Sequence, residues 1–259
     1  MSEFITYTKH TNYATITFNR ADKFNSFVRP MALAFIAALD DFEQDTAIRA
    51  LYLTGSGKAF CAGQDLGEVT DPNGPPISEI VSKHYNPIVM RLRNIEKPIV
   101  CGVNGVAAGA GANIALACDV VIAAENASFL QAFSKIGLIP DSGGTFTLPR
   151  IIGMGKASAL MLLGDKVSAT DAEKMGMIYQ VVPVESLEST GIALTQTLAN
   201  MPTKAIGLTK RALNASATNT LAQQLQLEDD LQTLASTYYD YNEGVQAFVD
   251  KRAPKFTGN

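Results

Sequence analysis

Three short apolar runs, IRALYLTG (48–55), IVCGVNG (99–105) and VVIAA (120–124), recur between glycine turns and helical patterns, and they restrict what this chain can fold into. Each is β-branched-rich and bounded by turn residues, as expected of a buried strand. The glycine turn GSGKAFCAGQD follows the first run. A helix, SEIVSKHYNPIVMRLRNI (78–95), precedes the second, interrupted or bent near Pro87 and led in by the breaker-rich DPNGPP (71–76). A short glycine-opened helix, GAGANIALACD, lies between the second and the third. Strands alternating with helices predict an α/β domain with largely parallel pairing.

The rest of the chain extends this frame. Residues 3–9 and 13–19 alternate apolar and polar positions around Thr11 and Asn12, which predicts a hairpin. From Pro30, the residues Met31, Phe35, Leu39 and Phe42 recur at helical spacing, which predicts an amphipathic helix. After residue 155 the patterns are helical up to residue 250, with only 178–182 (IYQVV) extended. Several of these helices are very apolar, which suggests burial against another subunit.

With 259 residues, 47% of them hydrophobic, the chain can bury one sizeable core. Lys and Arg total 21 against 25 Asp and Glu, a net charge of -4, so nothing draws the whole molecule to nucleic acid or an anionic membrane. The start MSEFITYTKH lacks the basic and apolar regions of a signal peptide, and no apolar run approaches the roughly 18 residues of a membrane span. A cytoplasmic protein is expected. Cys61, Cys101 and Cys118 form no CxxC pair and read as buried thiols. His10, in a turn, and His84, in a surface helix, match no metal-binding spacing.

The string GLIPDSGGTFTLP (137–149) puts an acid beside a hydroxyl between glycines. Ser142 could be the nucleophile of a serine protease, but that chemistry needs a histidine base, and the strand–helix alternation is wrong for an all-β protease. Asp141 could be a base or could cap a helix beginning near residue 142. TGSGKAF lacks the first glycine and the Ser/Thr of a phosphate loop, and GAGANI has Ile114 where a dinucleotide fingerprint needs its third glycine. The turns CAGQD (61–65) and AAGAGAN (107–113) could pack tightly against their neighbours. They could also present unpaired N–H groups to a developing negative charge.

Taken in order and spacing, NRADKFNS (19–26), KAFCAGQDL (58–66), KPIVCGVNGVAAGAGANIALACD (97–119), IGLIPDSGGTFTLPRIIG (136–153) and FVDKRAPKF (248–256) resemble the enoyl-CoA hydratase/isomerase (crotonase) superfamily over essentially the whole chain. The resemblance implies an α/β fold built as a spiral of ββα repeats (1–195) with a helical C-terminal trimerisation region (196–259), assembled as a homotrimer or homohexamer. It implies that the backbone N–H groups of Gln64 and Ala110 hold the thioester oxygen of an acyl-CoA. It further implies that Lys23, Phe24, Ala62, Gly63, Asp65 and Leu66 cradle CoA, and that Phe248 and Lys251 approach the nucleotide from a neighbouring subunit. Lys251, Arg252 and Lys255 would supply positive charge for phosphates, although a solvated basic tail reads equally well.

Where hydratases of the family carry two glutamates, this chain has Asn113 and Phe133, which cannot act as general bases. Phe133 would make that wall of the pocket dry, and Asp141 matches the catalytic aspartate of isomerases in the family. The resemblance therefore implies an acyl-CoA isomerase that uses no cofactor beyond the CoA of its substrate. A ring-1,2-epoxyphenylacetyl thioester that becomes an oxepin is the leading substrate, and a 3-enoyl-CoA is a second. A fatty-acid Δ3,Δ2-enoyl-CoA isomerase, a hydratase with an unusual base and a non-catalytic acyl-CoA-binding subunit are the alternatives. The helix from Tyr85 to Met90 is the candidate wall for the acyl end.

Overall fold

The computed structural model describes residues 3–259. The N-terminal hairpin forms as expected. Strand β1 (Ile5–Lys9) lies antiparallel to β2 (Tyr13–Phe18), and the His10 N–H donates to the Tyr13 carbonyl at 2.8 Å across the turn. After it, strands come in pairs whose members join different sheets. The first members, β3 (Ala50–Gly55), β5 (Ile99–Val103) and β7 (Val120–Ala124), run parallel within a six-stranded sheet of order β1-β2-β3-β5-β7-β10. The second members, β4 (Ala59–Cys61), β6 (Val106–Ala108) and β8 (Ser128–Leu130), pair in parallel in a four-stranded sheet, which β9 (Lys166–Ser168) closes antiparallel to β8. Strand β10 is Gln180–Val182. Helices return the chain between pairs, so the repeat is a ββα spiral.

Helix α1 (Arg29–Gln44) starts with Pro30 in its first turn and buries Met31, Phe35, Leu39 and Phe42 completely. Phe35 and Phe60 both pack against Phe18, with ring centroids 5.1 and 5.3 Å away, and burying each such side chain contributes about 1.5–3 kcal/mol. Next come α2 (Leu66–Thr70), α3 (Ile77–Glu79), a π-helical turn (Ile80–Tyr85) and α4 (Asn86–Asn94). This turn is the interruption expected near Pro87. Pro87 has no N–H to give the Lys83 carbonyl, and the Asn86 N–H bonds instead to Val81, five residues back.

Helix α5 (Ala110–Leu116) follows β6, and a 3-10 turn (Ala132–Ile136) follows β8. Then come α6 (Gly144–Ile152), α7 (Met154–Leu163), α8 (Ala169–Lys174) and α9 (Leu187–Ala199), the last packed across β3, β5 and β7. Helix α9 runs unbroken through 195/196. The C-terminal helices are α10 (Thr203–Ser216), α11 (Leu221–Ala235) and α12 (Tyr239–Val249). Buried Lys210 of α10 ties them to the core through Asp119, 2.7 Å away, and the Lys97 carbonyl.

Three expectations change. The stretch read as a glycine turn, GSGKAFCAGQD, contains strand β4, and β6, β8 and β9 were equally unmarked. Three-residue strands are too short to show a period, and their partners are distant in sequence. His84 is buried at 3% exposure rather than lying on a surface helix, because the π turn carries it inward. Arg252 is not free for phosphates. Both of its terminal nitrogens bond the Glu243 carboxylate, at 2.7 and 2.9 Å.

Candidate active site

Two glycine turns meet at the mouth of β4 and β6. Gly63 has φ +89°, and a Cβ there would fall 3.0 Å from the Ala108 carbonyl and 3.7 Å from the Ala110 nitrogen, so the turns touch only because position 63 is glycine. The Phe27 N–H donates to the Gly63 carbonyl at 2.7 Å. Because the peptide is trans, the Gln64 N–H points the opposite way, away from Phe27. Ala110 is the first residue of α5, where an N–H has no partner within the helix. Among the described residues, neither the Gln64 nor the Ala110 N–H donates to a protein carbonyl.

Both residues line a cavity of about 250 Å³, walled by Leu66, Val69, Ile80, Phe133, Ile136 and Leu138. Among the described lining residues, Asp141 is the one acid. Larger depressions exist elsewhere, including one of about 700 Å³ around Arg49 and Lys97, but its wall is mostly charged and polar, with Glu43, Glu96, Lys97 and Lys204 among its residues.

Asp141 sits in a tight turn in which Ser142 (φ 51°) and Gly143 (φ 74°) are both left-handed, a costly conformation for serine that is often stored at functional sites. Burial pushes the Asp141 carboxyl above the ordinary aspartate range, and the hydrogen bond from the Ser142 hydroxyl, 2.9 Å, pulls the other way. The carboxylate caps no helix. Helix α6 begins at Gly144, and its N-cap position, Gly143, offers no side chain. Ser142 is buried and donates to an acid, and no histidine lines the cavity, so the nucleophile reading fails.

Asn113 is turned away from the cavity. Its amide donates to the Asp141 carbonyl at 2.9 Å and accepts from the buried Gln131 at 2.7 Å, so it braces the Asp141 loop. Phe133 is 7% exposed, on the cavity wall, and a Cβ on Gly109 would lie 3.6 Å from its ring.

Of the residues expected at the site, Ala62, Gly63, Gln64, Leu66, Ala110, Phe133 and Asp141 therefore share one cavity. Lys23 and Phe24 lie on the adjoining loop, where the Ala62 N–H bonds the Phe24 carbonyl and Phe24 is 56% exposed. The Asp65 side chain caps α2 and pairs with Arg20. Within one chain, Phe248 lies elsewhere. It is 86% exposed beside Tyr241, Val245 and Phe256, with Lys251 just beyond the end of α12. Of the expected acyl wall, Tyr85 lines the cavity, whereas Met90 is 58% exposed and does not.

Sequence reading missed Asn25 and Glu68. Asn25 is fully buried and donates to the Ser56 and Ala59 carbonyls, which fixes the loop beside β4. Glu68 accepts from the Gln64 side chain at 2.7 Å. A completely buried asparagine inside the polar string NRADKFNS carries no signal in the sequence itself.

An acid beside paired backbone donors in an apolar cavity is suited to moving protons on a thioester. The chain belongs to the enoyl-CoA hydratase/isomerase family, whose model matches residues 8–259. It is 50% identical over the full length of both chains to the 1,2-epoxyphenylacetyl-CoA isomerase of Escherichia coli K12. It is 43% identical to a probable enoyl-CoA hydratase of Rhodobacter capsulatus, covering 95% of this chain and 94% of that one. The crystal structure of enoyl-CoA hydratase from Bacillus anthracis superposes with a TM-score of 0.94 at 33% identity, covering 99% of this chain and all of that one.

Proposed function

We propose that the protein is an acyl-CoA isomerase in which the Gln64 and Ala110 N–H groups hold the thioester oxygen and Asp141 carries the proton. Polarising that oxygen stabilises the enolate formed when a proton leaves the neighbouring carbon, and donors fixed in a dry site need no reorganisation as the charge develops. Asp141 takes the proton and returns it to another carbon, so the product keeps the mass of the substrate. A carboxyl raised by burial suits both halves of that task. The CoA portion, far from the reacting carbons, contributes the binding energy that positions them. No cofactor is required beyond the CoA of the substrate.

The observation that carries this reading is that, among the described residues, Asp141 is the one acid on the wall of the cavity that holds the two unpaired N–H groups. With Asn113 committed to the Asp141 loop and Phe133 in the wall, no second carboxylate lines the cavity among the described residues, which favours isomerisation over hydration. The apolar lining suits a flat acyl group. Together with the 50% identity to the 1,2-epoxyphenylacetyl-CoA isomerase of Escherichia coli, it supports a ring-1,2-epoxyphenylacetyl-CoA substrate that rearranges to the oxepin. A linear 3-enoyl-CoA would use the same groups.

Exposed apolar side chains on α11 and α12, among them Leu221, Leu225, Val245 and Phe248, support burial against a second copy, as a homotrimer or homohexamer whose Phe248 and Lys251 reach a neighbour's CoA. A cytoplasmic location agrees with the absence, among the described residues, of any helix long and apolar enough to cross a membrane. Incubation with each thioester, followed by liquid chromatography and mass spectrometry, tests the reading. Isomers of unchanged mass, with a larger kcat/KM for the epoxide, are expected. Products heavier by one water, or no turnover of either thioester, would refute it.

A further inference from the structure

The cavity holds one polar side chain with no task so far. Tyr85 is 1% exposed, and the π turn that ends at it replaces the regular helical register just before Pro87. Such turns often serve to re-aim a side chain at a functional site. The Tyr85 hydroxyl donates to the Gln64 Oε1 at 2.8 Å, and the Gln64 Nε2 donates to the Glu68 Oε2 at 2.7 Å. The other Glu68 oxygen accepts from the Arg29 N–H at 2.8 Å, which anchors the chain of bonds to the first turn of α1. The ring is backed by Phe27, its centroid 5.8 Å away, and Phe27 is also the residue whose N–H fixes the Gly63–Gln64 peptide. Burial keeps the phenol protonated and therefore a donor. It does not serve Asp141, whose carboxylate is held by Ser142.

Resting on the reading above, we propose that Tyr85 is a positioning residue for the oxyanion hole: with Glu68 it holds both polar atoms of the Gln64 side-chain amide and so keeps the Gln64 N–H on the thioester oxygen. The backbone bond from Phe27 sets the side to which this N–H points. The side-chain clamp holds the Gln64 Cα, the other end of the same peptide plane, so the donor is already in place when charge develops. Removing the clamp costs alignment in the transition state rather than binding of the CoA portion. The effect therefore belongs to kcat, with KM little changed.

The test uses the full-length protein and phenylacetyl-CoA labelled with 13C at the thioester carbonyl, a bound compound that has no epoxide to rearrange. Isotope-edited infrared difference spectroscopy reads how far the carbonyl stretch falls on binding, beside steady-state kinetics with a 3-enoyl-CoA. Wild-type and Asp141→Asn proteins are expected to show the full downshift. Tyr85→Phe and Gln64→Met are each expected to lose part of it and to lower kcat by roughly 10- to 100-fold, with KM within about twofold, the scale of a misplaced catalytic group. The double variant is expected to be no worse than Gln64→Met alone, because that substitution already removes the bond from Tyr85. A full downshift and unchanged kcat in Tyr85→Phe would overturn the clamp and leave the isomerase reading standing, as would additive losses in the double variant. No downshift in the wild type would overturn the oxyanion hole itself, and the clamp with it.

Discussion

Asp141 gathers three local constraints: burial that raises its carboxyl, a hydroxyl from Ser142 that opposes the rise, and a left-handed turn that aims it into the cavity. The pH dependence follows from the first two. A base must be ionised to act, and burial disfavours the ionised form, so kcat/KM is expected to fall as the pH drops through a value above the usual aspartate range of about 3.9. Ser142→Ala removes the group that favours the ionised form and should move this acidic limb to higher pH, as measured in the pH profile of kcat/KM. A limb that moved down, or stayed, would mean that the titrating group is another residue. The same burial destabilises the fold at neutral pH. An acid whose folded value is raised weakens the folded state once the pH exceeds the unfolded value, so Asp141→Asn should unfold at a higher temperature at pH 7.

At the scale of elements, the site is two turns pressed together, and the contact depends on Gly63. A Cβ would enter the space beside the Ala110 N–H, and φ +89° is strained for any side chain. Gly63→Ala should lower kcat by roughly 10²–10³-fold, comparable to losing one oxyanion donor, with circular dichroism showing a folded protein. Unchanged kcat would place the thioester oxygen elsewhere. Helix α1 could be read from the sequence because its buried face leaves a helical period, and the strands β3, β5 and β7 because each is a continuous apolar run buried almost throughout. The strands β4, β6 and β8, three residues each, could not, since their pairing is with partners remote in sequence. The same division holds in the site. The glycines and Asp141 stand out by residue type, but the brace of Asn113 on the Asp141 loop and the Tyr85–Gln64–Glu68 chain exist only once distant segments meet. His84, expected on a surface helix, is buried with Ile80 and Tyr85 in the π turn, whose five-residue register a regular helical period does not reveal.

For the molecule as a whole, the ties that fasten the C-terminal helices include Lys210 onto Asp119, Asn214 onto Arg93 and the closing segment onto Arg49. The Arg49 guanidinium donates to the carbonyls of Phe256 and Met201 and to the Thr203 hydroxyl, while the Asp240 carboxylate accepts from the N–H groups of Thr257 and Gly258. Hydrogen bonds to a charged group contribute about 1.5–3 kcal/mol, so Arg49→Ala should lower Tm by roughly 5 °C in a thermal melt. Its kcat should stay near that of the wild type, since the cavity lies elsewhere; a collapse of kcat would tie this tail to the site. What the spiral, the two turns and the buried acid do together is tested most directly by turning over a 3-enoyl-CoA in heavy water and following the product by NMR and mass spectrometry, with Asp141→Asn alongside. The expected result is a shifted double bond without added water, deuterium only at carbons that exchanged through the base, and a variant slower by roughly 10²–10⁴-fold. A product heavier by one water, or a variant as fast as the parent, would contradict proton transfer by Asp141.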